Sequence, residues 1–315
     1  MSKRSLSIFS FNKNIVFVIK AIFLFLSILL FLCFMNARFD DEYCASLTDK
    51  VERLKGLEGP KLVLIGDSNL SFGIDSAQLE EATMRPVVNM GLHAGIGNVF
   101  HENMAKLNVV PGDVYIYAPS SFDGYNGITD SVLVWTAVRN DFEVLGLVPK
   151  HDRWRVVKKY PTFLKKCIKR MAEQIGEQGE SNVYSRSNFN KYGDIDYKEP
   201  EFEWKFTETI VPPVIDESTV QRINKLAEWL QERGAKLVIA AYPIGDGELT
   251  ADQEEFIRFQ DELETRLECE VISDYTDYMF DYEYFYDSHL HLTTEGADLR
   301  TKQLIEDLKK SNVLK

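Results

Sequence analysis

The chain has 315 residues, 45% hydrophobic and 27% charged, a balance that gives ample core and argues against global disorder. Its formal charge of −13 is unevenly spread: the first twenty residues hold Lys3, Arg4, Lys13 and Lys20 and no acid, which leaves 32 basic against 49 acidic side chains in the remainder. So acidic a surface repels phosphate backbones and argues against nucleic acid as a partner.

The basic start, read as a tail over 1–14, leads into an apolar run over 15–35 broken only by Lys20 and Ser27. At about 1.5 Å rise per residue such a run spans about 30 Å, the thickness of a bilayer core. Lys20 lies near the N-terminal end, where its stem snorkels back to the headgroups. Basic residues precede the run and Asp40, Asp41 and Glu42 follow it, so the charge rule predicts a cytoplasmic N-terminus and an extracytoplasmic remainder. The alternative is a cleaved signal peptide, but Met35-Asn36-Ala37 is a poor small-x-small cleavage site. Of the four cysteines Cys33 falls in this run. Cys44, Cys167 and Cys269 have no metal-type spacing; one disulfide among them is allowed, but the sequence chooses no pair.

Residues 36–60 read as a connector carrying a short helix, Ala45–Lys55. Apolar β-type runs follow at Lys61–Ile65, Pro86–Asn89, Val114–Ala118, Lys236–Ala241 and Glu270–Ile272, most of them apolar throughout, as in strands covered on both faces. Helical patterns alternate with them: Ser76–Met84 behind a capping Asp75, Asn98–Leu107, Glu217–Arg233, Thr250–Leu267 and Thr294–Leu308. This order predicts an α/β fold over 61–315: a doubly wound, mostly parallel five-stranded sheet with helices on both faces. A large insertion, 120–213, interrupts it after the third strand. The insertion holds a basic helical segment, Arg153–Gln174, and an aromatic-rich loop with Tyr184, Phe189, Tyr192, Tyr197, Phe202, Trp204 and Phe206. Its position at the sheet edge suits a lid or substrate wall. Packing of its aromatics onto the domain is the simpler account, and solvation that of its lysines.

Two segments carry chemistry. Gly66-Asp67-Ser68 ends the first strand, at the sheet edge where α/β proteins bind ligands. Near the C-terminus stands Asp287-Ser288-His289-Leu290-His291-Leu292-Thr293, followed by Gly296. A serine is a nucleophile only when a base reaches it, and this segment supplies one. Asp287-x-His289-x-His291 also has alternate residues suited to a metal, with His93 or His101 as further ligands; the serine motif makes this the weaker reading, and neither metal nor cofactor is expected.

Together these blocks resemble the SGNH hydrolases, the GDSL esterase family. Gly66-Asp67-Ser68 is similar to the block that holds the family's nucleophile. Asn89-x-Gly91 is similar to the block whose glycine amide helps bind the oxyanion, and His291-Leu292-Thr293-x-x-Gly296 to the block with the base. The resemblance covers roughly residues 60–120 and 216–308. It implies Ser68 as nucleophile, His291 as base, Asp287 as the group that orients it, and Ser68 and Gly91 amides as oxyanion donors.

Two departures accompany it. The family's last block is Asp-x-x-His, whereas Asp287 precedes His289 by two residues and His291 by four, which leaves His289 as an alternate base. The third block, Gly-x-Asn-Asp, is replaced by Ala118-Pro119-Ser120-Ser121-Phe122-Asp123, so Ser120 or Ser121 stands in for the asparagine or the hole has backbone donors only. With these departures the chain resembles membrane-tethered members of the family, namely the D-alanyl-transfer protein of teichoic acid synthesis and acetyltransferase-like proteins of exopolysaccharide pathways. That likeness implies a serine esterase or O-acyltransferase acting on acyl groups of a cell-surface polysaccharide or an acyl carrier, beside a multi-spanning membrane acyltransferase. The opposing reading is a catalytically silent scaffold of a glycan-assembly or export complex.

Overall fold

The computed structural model describes residues 13–39, 41–125, 127–139, 141–174, 183–196 and 206–314. Most of the basic tail, the side chain of Cys33, and Tyr197, Phe202 and Trp204 lie outside the described residues. The chain divides into two compact units. The first contains helix α1 (Lys13–Phe39) and the part of helix α8 (Arg153–Gln174) from Pro161 onward. Within α1, Lys13–Phe31 has a mean hydropathy of 2.6 and no buried residue, so it is long and apolar enough to cross a membrane.

The second unit holds the sheet. Strands β1 (Leu62–Gly66), β2 (Val87–Asn89), β3 (Val114–Ala118), β4 (Lys236–Ile239) and β6 (Glu270–Val271) form an all-parallel sheet in the order β2-β1-β3-β4-β6. This is the α/β order expected from the alternating runs, with the order reversing beside β1. Leu62, Val63, Leu64 and Ile65 are all fully buried, each contributing about 1.5–3 kcal/mol of apolar burial. One core face joins Leu62, Leu64, Val87, Val114 and Ile116 to Leu304, Ile305 and Leu308 of the last helix, α11 (Thr294–Ser311).

Crossover helices α4 (Ser76–Thr83), α5 (Asn98–Met104), α9 (Glu217–Gln231) and α10 (Gln253–Arg266) fall close to the sequence expectation. Asp75 caps α4 by accepting from the Gln78 amide, while the Gln78 side chain donates to Asp298 instead of closing a reciprocal box. Asp252 caps α10 by accepting from the Glu254 amide.

Several elements escape the periodicity argument. A short helix, α3 (Ser68–Gly73), follows β1, and α6 (Ser131–Val138) and α7 (Phe142–Gly146) lie inside the insertion. Strands β5 (Ile244–Asp246) and β7 (Met279–Asp281) pair apart from the main sheet. Strands β8 (Phe285–Ser288) and β9 (His291–Leu292) form an antiparallel hairpin. The connector residues 41–60 belong to this unit, for helix α2 (Leu47–Gly56) buries Leu47, Val51 and Leu54. Cys44 and Cys167 are buried and Cys269 is half-buried, and no disulfide joins any two of the three.

Candidate active site

Strand β1 delivers Ser68 to the C-terminal edge of the sheet. Gly66 makes this turn at φ 153°, where a side chain would meet the Ala118 carbonyl oxygen and Leu70 Cδ1 at 3.0 Å. Asp67 then caps α3 by accepting from the Asn69 amide at 2.9 Å. Ser68 is the first residue of α3 and half-exposed. Its amide makes no backbone hydrogen bond among the described residues, as suits the first turn of a helix.

Beneath this turn Arg300 of α11 is buried. Its guanidinium donates to the Asn69 carbonyl, to Asn69 Oδ1 and to the Ala241 carbonyl at 2.8, 2.9 and 3.0 Å. Burial lowers the guanidinium to about 10, and the Tyr278 and Asp67 charges work against that shift. Arg300 thus pins the Ser68 turn to the last helix and to the segment just after β4.

The hairpin β8–β9 brings the second half of the site. His291 Nε2 lies 2.8 Å from Ser68 Oγ, and His291 Nδ1 lies 2.7 Å from Asp287 Oδ1. The hairpin explains the departure from Asp-x-x-His. Ser288 pairs directly with His291 around a tight turn with an irregular register, so a residue four positions back returns beside the imidazole. His291, not His289, reaches Ser68. His289 sits exposed at the turn, close enough to Glu208 for that carboxylate to oppose the lowering of its pKa by desolvation. The following Thr293 caps α11 by accepting from the Gly296 amide at 3.2 Å.

Both nitrogens of His291 are engaged by the serine and the carboxylate, and the Nδ1 of His93 accepts from the Gly95 amide. His101 is buried within α5. No group of three metal-ligating side chains occurs among the described residues.

The imidazole is held on its face as well as at its edge. Phe72 of α3 stacks on it with centroids 4.1 Å apart and planes 14° from parallel. Tyr184, from the insertion, donates its hydroxyl to Asp287 Oδ2 and lies 3.4 Å from His291 Nδ1. Burial raises the Asp287 carboxyl, but hydrogen bonds from His291 and Tyr184 outweigh it and hold the group below its ordinary value. Asp287 therefore stays a carboxylate able to fix the imidazole tautomer.

The expected oxyanion donors fare differently. The Gly91 amide donates to Asn89 Oδ1 at 2.9 Å. Ser120 gives both its amide and its hydroxyl to Asp67 Oδ2. Ser121 bonds Asp123 at 3.1 Å. Of the three donors assigned from sequence, Ser68, Gly91 and Ser120, the Ser68 amide alone lacks a bond here. The physical reason is local: Asn89 and Asp67 are buried acceptors, and the nearest donors satisfy them.

Beside the triad a cleft of about 400 Å³ is lined by Ser120, Tyr242, Glu208, Ile210, His289 and Leu290, a size that suits a small ligand. Behind the triad stands a buried polar cluster that the motif reading missed. Lys50 Nζ donates to the carbonyls of Asn89, Gly91 and Gly193 at 3.1, 2.7 and 2.7 Å and to Ser71 Oγ at 3.3 Å. Asp194 accepts from Ser76 and from Asn89 Nδ2. Through these bonds, and Asn89 N to the Tyr192 carbonyl at 2.9 Å, residues 190–195 of the insertion are built into the domain against β2 and α3. Lys50 had a sequence signal: it interrupts the apolar stripe Leu47, Val51, Leu54 of α2. Tyr184 had none, since its partner is 103 residues away.

The sequence matches no known protein-family model and no curated protein. The functional reading therefore rests on the geometry of the chain itself.

Proposed function

We propose that this chain is a membrane-anchored, extracytoplasmic serine esterase or O-acyltransferase of the SGNH type, acting on acyl groups of a cell-surface polysaccharide through an acyl-Ser68 intermediate. The observation that carries this reading is the hydrogen-bonded series Asp287–His291–Ser68, at 2.7 and 2.8 Å, assembled from segments 223 residues apart. A serine, an imidazole and an ionised carboxylate in that order are the working parts of nucleophilic acyl transfer.

In this mechanism His291 Nε2 takes the hydroxyl proton as Ser68 Oγ bonds to the acyl carbonyl carbon. The carbonyl electron pair moves to oxygen, and the Ser68 amide donates to the resulting oxyanion. Collapse breaks the ester C–O bond, and the leaving alkoxide takes the proton from His291, leaving acyl-Ser68. Water or a sugar hydroxyl, deprotonated by His291, then attacks the acyl carbon and frees the serine. Asp287 stabilises the imidazolium in both halves.

The apolar helix α1 and the charge distribution around it support an anchor with a cytoplasmic N-terminus. A donor on that side, either an acylated glycan or an acyl carrier supplied by a multi-spanning acyltransferase, fits such a tether. One observation favours a second reading, a catalytically silent scaffold for glycan assembly: the Gly91 and Ser120 donors are occupied within the protein. Loss of one oxyanion donor costs about 3 kcal/mol of transition-state stabilisation.

Acetyl-ester turnover by the purified protein, with Ser68→Ala and His291→Ala as controls and with and without an oligosaccharide acceptor, separates these readings. Turnover abolished by both substitutions supports the enzyme, and acyl transfer in excess of hydrolysis selects the transferase. No turnover in the native protein under either condition favours the scaffold.

A further inference from the structure

We propose that Tyr184 is a positioning residue for the Asp287–His291 pair, and that the residues immediately following α1, Asp41–Tyr43, form a clasp that holds it in place. This rests on the reading of Ser68, His291 and Asp287 as a working triad. It adds that the triad's alignment depends on the stretch of chain where the anchor helix ends.

The first part of the argument is the carboxylate. Asp287 Oδ1 accepts from His291, and its other oxygen accepts from the Tyr184 hydroxyl. With both oxygens engaged, the carboxylate plane is fixed, and with it the direction from which Nδ1 is held. Tyr184 also packs at 5.6 Å from Phe72, the ring stacked on His291. The same side chain therefore bears on the edge and, through Phe72, on the face of the imidazole.

The second part is what holds Tyr184. Its carbonyl accepts from the Tyr43 amide at 3.1 Å. Glu42 pairs with Ser185 as an antiparallel bridge. The Arg186 amide donates to the Asp41 carbonyl at 2.7 Å. The Asp41 carboxylate accepts from the Ser187 amide at 2.7 Å and from its hydroxyl at 2.9 Å. The Arg186 guanidinium grips Asp49 with two bonds, an arrangement stronger and more directional than a single ion pair. Residues 41–43 and 184–187 thus form a short two-stranded clip. It begins at Asp41, just beyond the end of α1 at Phe39. Residues 190–195, bound to β2 and α3, fix the other end of the strap.

The sequence alone hides this device. An acidic cluster after an apolar run reads as a topology signal, and Tyr184 reads as one of several loop aromatics. Their juxtaposition gives both a second role. Asp41 is a backbone and side-chain acceptor for the strap, and Tyr184 is the strap's contact with the catalytic carboxylate.

The test uses the full-length protein in detergent micelles, with Tyr184→Phe, Asp41→Ala and the pair Asp41→Ala/Arg186→Ala. Two readouts are followed: the rate of fluorophosphonate labelling of Ser68, and the low-field proton resonance of the His291–Asp287 hydrogen bond. Tyr184→Phe is expected to slow labelling about tenfold and the clasp variants about threefold or more, each moving the resonance while the unfolding midpoint of Tyr184→Phe stays near that of the native protein. In an Asp287→Asn background Tyr184→Phe is expected to slow the residual labelling no further, since the two residues act as one unit. Native-rate labelling and an unmoved resonance in Tyr184→Phe would overturn the positioning role. An unmoved resonance and rate in both clasp variants would overturn the clasp. If the native protein does not label at all, the enzymatic reading fails by itself, and the resonance still decides whether Tyr184 and Asp41 align Asp287 with His291.

Discussion

Phe72 lies flat against His291, its ring centroid 4.1 Å from that of the imidazole and the two planes 14° apart. Phe72 sits on α3, the same helix that begins with Ser68. One short element therefore supplies both the proposed nucleophile and the surface that orients its base. That contact ties side chains from the two ends of the chain to one another. Replacing Phe72 with Leu removes the flat support and leaves most of the volume. The expected outcome is a fall in kcat of about tenfold or more with little change in KM, because a misaligned base loses rate rather than binding. Steady-state kinetics on an acetyl ester checks it, and an unchanged kcat would show that the stacking does no orienting.

Ser120 provides a contrasting case. Its amide and hydroxyl both serve Asp67, which caps α3, the helix that begins with Ser68. Ser120→Ala is expected to leave kcat/KM within about threefold of the native value, whereas loss of a true oxyanion donor costs about 100-fold or more. A fall of that larger size in a folded variant would return Ser120 to the oxyanion hole.

Lys50 is a buried cation near the site, 2% exposed, and burial lowers it to about 7 with the Asp194 charge opposing that shift. Lys50→Met leaves four oxygen acceptors from β2, α3 and the insertion without their donor. The expected loss of stability is about 3 kcal/mol, together with faster proteolysis within 183–196. Urea titration and limited proteolysis report the two effects, and native-like behaviour in both would contradict the role given to this cluster.

His101 makes stability pH-dependent. Burial lowers it from the ordinary 6.5 to about 4. Between those values the unfolded chain binds a proton that the folded protein does not. Its contribution is therefore complete above about pH 6.5 and is lost as the pH falls toward about 4. The urea midpoint is expected to drop between pH 7 and pH 4.5 less steeply in His101→Leu than in the native protein. Parallel pH profiles would show that His101 carries none of this dependence.

The parts of this architecture that depend on local pattern are visible in the sequence. Four apolar runs become the central strands because burial on both faces demands near-continuous hydrophobicity. Helix α8 begins at Arg153, where the sequence places the start of a basic helical segment. Ser68 is findable because a strand, a glycine that makes the turn and a capping aspartate occur in succession. The rest depends on distant partners. Asp287 serves His291 at an unusual spacing because a hairpin closes between them, and hairpin closure is decided by pairing with β9 rather than by the motif. The Gly91 amide, expected as an oxyanion donor, is taken up instead by the Asn89 side chain, whose own amide group is held by the Leu70 carbonyl and Asp194. Arg300 and Lys50 each interrupt an apolar helical stripe, a signal that marks a buried charge but does not name its partners. Tyr184 carries no such mark.

Mass-spectrometric analysis of the full-length protein after fluorophosphonate treatment tests the central claim most directly. The account predicts a single covalent adduct on Ser68, absent from Ser68→Ala and strongly reduced in His291→Ala. A native protein that stays unmodified while folded, or one whose adduct lies on another residue and survives Ser68→Ala, would contradict it.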